Sequence, residues 1–114
     1  MSDISELMQE YDSLGSGLCL SARADKTLPE TECQRVIELI DLIRNIYTKQ
    51  DVVPRDHVWR LTYLFPAILS EAEHCRDEGK RKALENYAWD VQWRVSKIFE
   101  PTREAGGASS DPNG

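Results

Sequence analysis

The segment between Cys33 and Tyr47 has almost no polar side. Wound as a helix, it places Cys33, Val36, Ile37, Leu39, Ile40, Leu42, Ile43, Ile46 and Tyr47 around most of the circumference. The polar stripe runs through Gln34, Glu38, Asp41, Asn45 and Thr48. An apolar face this wide has to be covered from two or more directions, so the rest of the chain must supply helices that pack around it. Thr27 and Glu30 have the T-x-x-E spacing of a capping box ahead of it, with Pro29 tolerated in a first turn.

The flanking sequence offers such helices. Ile4, Leu7, Met8 and Tyr11 form one buried stripe behind an N-cap at Ser2, with Asp3 and Glu6 near the positive end. Gly15-Ser16-Gly17 is read as the end of this short helix, and residues 18–26 as a helical turn or an irregular connection. A third helix opens at Pro54 and carries Val58, Leu61, Leu64, Phe65, Ile68, Leu69, Ala72 and Cys75 on one side. Pro66 inside that pattern predicts a kink near residues 62–65. Asp77-Glu78-Gly79 closes it, with Gly79 as a left-handed cap. A fourth helix over residues 80–99 bears a narrower stripe of Leu84, Tyr87, Ala88, Val91, Val95, Ile98 and Phe99, and Pro101 stops it. The expected fold is all-α: a small four-helix bundle with a short first helix, a third helix kinked at Pro66 and a disordered C-terminal tail. Residues 1–100 form a single helical domain and 101–114 a flexible tail. Short connections at 48–53 and around Gly79 predict antiparallel packing of the last three helices.

Charge narrows the partners. With 20 acidic against 14 Lys and Arg residues, the chain carries a net charge of −6, the wrong sign for duplex nucleic acid or an anionic membrane surface. A protein with a basic cleft suits it better. The three cysteines are odd in number, widely spaced and without a CxxC pair, which points to reduced thiols in a cytoplasm. The N-terminus lacks the basic and apolar regions of a signal peptide. The longest apolar run, residues 61–69, is interrupted by proline and far short of the roughly 20 residues that cross a bilayer. A cytoplasmic protein is expected.

No residue pattern announces catalysis. His57 and His74 have no partner constellation. A Cys33/His74/Cys75 metal site would need a fourth ligand and has no finger-like spacing. Gly15-Ser16-Gly17 lacks the lysine and preceding strand of a phosphate loop and reads as a turn. Core thiols and surface histidines account for these residues, and the expectation is no enzyme, no metal and no cofactor.

The aromatics carry more. Trp89 and Trp93, one turn apart, fall almost opposite the stripe their helix must bury, and Trp59 and Tyr63 repeat the arrangement on the third helix. One pair is expected to receive the N-terminal helix as a second layer of core. The other is expected at an interface, where Trp and Tyr supply area at low entropy cost. Glu38, Asp41, Glu71 and Asp90 are the acids expected to surround such an anchor and meet a basic partner, with the Trp89/Trp93 pair preferred.

The order of features over residues 32–95 resembles that of small α-helical immunity proteins, which neutralise toxins delivered by bacterial type VI secretion. The features are the long apolar second helix, Arg60-Leu61-Thr62 early in the third, an acidic stretch at Glu71 and Glu73, Asp77 and Glu78 before Ala83-Leu84, and an aromatic at Tyr87. The chain departs from that pattern at Leu64-Phe65-Pro66, where the family tends to have a small residue. The resemblance implies a cytoplasmic protein that binds a toxin domain tightly, often by covering its active site. A homo-oligomeric adaptor (a homodimer in the simplest case) and another small acidic inhibitor, such as an antitoxin or a phage-encoded anti-defence protein, are the alternatives.

Overall fold

The computed structural model describes residues 3–101 and is helical throughout, with no strand among the described residues. Helix α1 spans Ile4–Asp25, α2 Glu30–Tyr47, α3 Arg55–Thr62, α4 Leu64–Glu73 and α5 Glu78–Ile98. Helices α3 and α4 are two halves of one bent rod, so four rods enclose the core. The expected tail and Ser2 lie outside the described residues.

The first helix is not short. It runs straight through Gly15 and Gly17 and is capped by Asp3, whose carboxylate accepts the Glu6 amide at 2.9 Å. The reason is a buried stripe that continues past the glycines through Leu7, Met8, Tyr11, Gly15, Leu18 and Ala22. The gain from burying Leu18 and Ala22 outweighs the helix-breaking cost of two glycines, about 1 kcal/mol each. At Gly15 the missing side chain is used. The Tyr63 hydroxyl sits 2.8 Å from where a Cβ would stand, whereas Gly17 faces open space. Gly17→Ala is therefore expected to raise stability by about 0.5–1 kcal/mol in urea titration. Gly15→Ala should forfeit that gain because it pushes Tyr63 off its seat. Equal gains at both positions would refute the seat.

Two further boundaries differ from expectation. Helix α1 ends at Lys26, in the left-handed conformation with φ 58°, its amide on the Ala22 carbonyl. The next helix starts behind Pro29 with no side-chain cap. The helix begins with Pro29 at the N-cap, so Thr27 lies two residues outside it, Glu30 is the first helical residue, and the capping box does not form; the Thr27 carbonyl instead accepts the Ser21 hydroxyl at 2.9 Å. The third rod bends at Tyr63, inside the expected span of residues 62–65 and three residues ahead of Pro66. Pro66 lies in the first turn of α4, where its missing amide costs no bond, and the Thr62 hydroxyl turns back to the Val58 carbonyl at 2.7 Å. Gly79 caps nothing. The fourth element, α4, stops at Glu73, and Asp77 instead caps α5 by accepting the Lys80 amide at 2.9 Å.

The rods form a ring in which α1 lies between α2 and α4, and α5 closes the ring between α4 and α2. Successive contacts give the directions. Tyr11 meets Leu61 and Lys26 meets Glu71, so α1 runs parallel to the α3–α4 rod. Cys33 meets Tyr87 and Asp41 meets Arg94, so α2 runs parallel to α5. The last three helices are therefore not all antiparallel neighbours. Only α4 and α5 are, and residues 48–54 carry the chain diagonally between two helical hairpins. Val36, Leu39, Ile40 and Ile43 from α2, Leu64 and Ile68 from α4, and Leu84 and Val91 from α5 fill the centre with essentially no exposure. Tyr11, fully buried, donates its hydroxyl to the Leu61 carbonyl at 3.0 Å.

Candidate functional site

All three tryptophans face solvent: Trp59 is 70% exposed, Trp89 57% and Trp93 60%. The core takes its aromatic bulk from Tyr11 and Tyr47 instead. Solitary exposed side chains such as Leu20 and Val52 are ordinary. Two adjacent tryptophans on one helix are not. Trp89 leans on the half-buried Phe65 of α4, ring centroids 4.7 Å apart, and Lys97 lies 4.7 Å over the Trp93 ring.

The second pair divides. Tyr63 turns inward to α1, where Gly15 makes room for its hydroxyl, so it does receive the N-terminal helix. Trp59 does not, and it borders an open groove of about 360 Å³ lined by Asp12, Ser16, Trp59, Arg60 and Tyr63. The two aromatic sites are thus separate, one on α5 beside α4 and one over the seam of α1 and α3. A larger hollow of about 510 Å³ lies at the end of the bundle between Tyr47, Asp51, Val53, Ile98 and Phe99.

The candidate acids are already engaged. Arg94 binds both Asp90, at 3.1 Å, and Asp41, at 3.4 Å, and so ties α5 to α2. Arg35 holds Glu38 at 3.2 Å and Glu10 at 2.7 Å. Arg60 holds Asp12 at 2.6 Å and Asp56 at 3.0 Å. Each of these arginines serves two carboxylates, which leaves one negative charge per cluster. Glu71 is the reverse case: Lys26 at 2.8 Å and Arg23 at 3.5 Å converge on it from α1. The hydrogen bond from Lys26 holds its carboxyl below the usual carboxylate range, as that from Arg35 does for Glu10. Glu71 therefore works as a tie between α1 and α4, away from either aromatic site. Asp12 is a site residue that helical spacing does not single out, because its partner Arg60 lies on another helix. The i, i+4 pairs Asp56/Arg60 and Asp90/Arg94 and the i, i+3 pair Arg35/Glu38 are visible before the helices are assembled.

Burial pushes the pKa of the Cys33 thiol up to about 11 and raises that of Cys19 as well. The buried Cys75 directs its thiol to the Asp77 carbonyl. His74 engages the Ser70 carbonyl and His57 the Tyr47 hydroxyl. Among the described residues no three His, Cys, Asp or Glu side chains converge as metal ligands, and no helix is long and apolar enough to cross a membrane. Comparison of the chain with protein-family models, with curated proteins and with solved structures gives no match.

Proposed function

We propose that this chain is a non-catalytic protein inhibitor, an immunity protein that binds and occludes a cognate interbacterial toxin domain in the cytoplasm. The observation that carries the reading is the outward placement of every tryptophan on a bundle whose core is otherwise complete. Tryptophan is costly to leave in water and is the residue most enriched where interfaces concentrate their binding energy. The net charge of −6 supports a partner with a basic cleft, such as a toxin domain acting on an anionic substrate.

Of the two aromatic sites, the seam of α1 and α3 fits that partner better. Trp59 is the most exposed of the three and stands beside two carboxylates held by one arginine, which leaves local negative charge. Trp93 instead has a cation, the Lys97 ammonium, over its own ring, which a basic partner would have to meet.

The test is co-expression. A toxin domain encoded beside this gene, produced alone in a bacterial cytoplasm, arrests growth; this chain is expected to restore growth and to co-purify with the domain as a stable complex. Persistent arrest in the presence of folded protein, or protection with no complex formed, would overturn the reading.

A further inference from the structure

We infer that the outer face of α5 is a self-association surface, taking a second copy of this chain in antiparallel orientation. Lys82, Asn86, Trp89, Trp93, Ser96 and, just past the helix end, Glu100 are all exposed. They recur at alternating spacings of four and three residues, the spacing of a seam between two packed helices. The two tryptophans occupy its centre, small polar residues flank them, and charges of opposite sign stand at its ends.

A two-fold axis through the middle of this seam sets Trp89 of one copy against Trp93 of the other, Asn86 against Ser96, and Lys82 against Glu100. Every layer is complementary: aromatic on aromatic, amide on hydroxyl, ammonium on carboxylate. A parallel pair would instead stack Lys82 on Lys82 and Glu100 on Glu100, and like charges disfavour it. An isologous interface requires such self-complementarity of one patch, and a seam built for an unrelated partner has no reason to show it. Lys82 also has no ion-pair partner of its own among the described residues. At 1.5 Å per residue the seam is about 27 Å long, which puts the contact at the small end of specific interfaces and the association in the micromolar range.

Sedimentation equilibrium of the full chain from about 10 μM to about 1 mM decides it, since contacts of this size associate weakly. The expected result is a monomer–dimer equilibrium that Trp89→Ala weakens at least tenfold and Trp59→Ala leaves unchanged. Lys82→Glu should weaken it severalfold by opposing Glu100, and Lys82→Glu combined with Glu100→Lys should recover the loss by restoring the pair in reverse. All of these side chains are exposed, and thermal melts confirm that the variants fold. A chain that stays monomeric throughout, a dimer indifferent to Trp89→Ala, or a double variant no better than Lys82→Glu overturns the proposal. No toxin enters this measurement, so its outcome is separate from that of the inhibitor reading.

Discussion

Replacing Ile40 by alanine is expected to lower the stability of the bundle by about 2–5 kcal/mol. Ile40 is fully buried in α2, the helix packed on α1 along one side and on α5 along another. Truncation removes the transfer energy of the lost methyl and methylene groups and leaves a cavity between helices held in place by their other contacts, so the site collapses little. The urea midpoint should fall while the slope of the transition stays the same, because the surface exposed on unfolding hardly changes. Leu42 provides the control. It lies on the same helix but 42% exposed, and Leu42→Ala should cost about 1 kcal/mol or less. Similar midpoints for the two variants would mean that the helix is rotated from the orientation described.

Trp59→Ala is expected to weaken binding to the cognate toxin domain by about 2–4 kcal/mol while leaving the melting temperature near that of the parent. The two halves of this expectation have one physical source. The Trp59 ring stands mostly in water, so folding gains little from it, and its burial against a partner releases nearly the whole of its apolar surface. Substitution of Asp56, which pairs with Arg60 at the edge of the same site, should act on another quantity. It should slow association and flatten its dependence on salt, with a small effect on dissociation. Calorimetry and stopped-flow association on the same variants separate the two. A Trp59→Ala protein that melts early yet binds normally would place this ring in the fold's own stabilisation.

Much of the architecture is legible before any coordinates. The apolar circumference of residues 33–47 requires neighbours on several sides, and α2 has them. The wheel of the last helix sets Trp89 and Trp93 apart from its buried stripe, and both stand outside. The misreadings share a cause. Gly15 and Gly17 resemble a terminator when judged locally, but a tertiary contact with Tyr63 gives the first of them a purpose, and the stripe beyond them decides the outcome. Thr27 and Glu30 have the right spacing for a cap, yet the helix starts behind Pro29 and leaves Thr27 two residues outside its N-cap. The acids illustrate a further limit. Asp41 reads as a free charge along the sequence, because the arginine that holds it lies on another helix, where spacing shows only its i, i+4 pairing with Asp90. Local patterns locate elements; which side chains end up sharing a partner depends on the directions in which the elements run.

Those directions bear on how the chain finds its fold. Each hairpin closes over a connection of only a few residues, residues 26–29 in one and 74–77 in the other, so the loop entropy lost in forming either is small. The parallel pairs α1 with α3–α4 and α2 with α5 form across the longer connection at 48–54, and they bring together residues about 50 positions apart, as Tyr11 with Leu61 and Cys33 with Tyr87. Early structure should therefore arise twice, in two local nuclei, and the late, rate-setting event should be their docking. In such a sequence of events the carboxylate of Glu71 and the hydroxyl of Tyr11, both joined to partners from the other nucleus, act as registration marks that fix how the two halves meet.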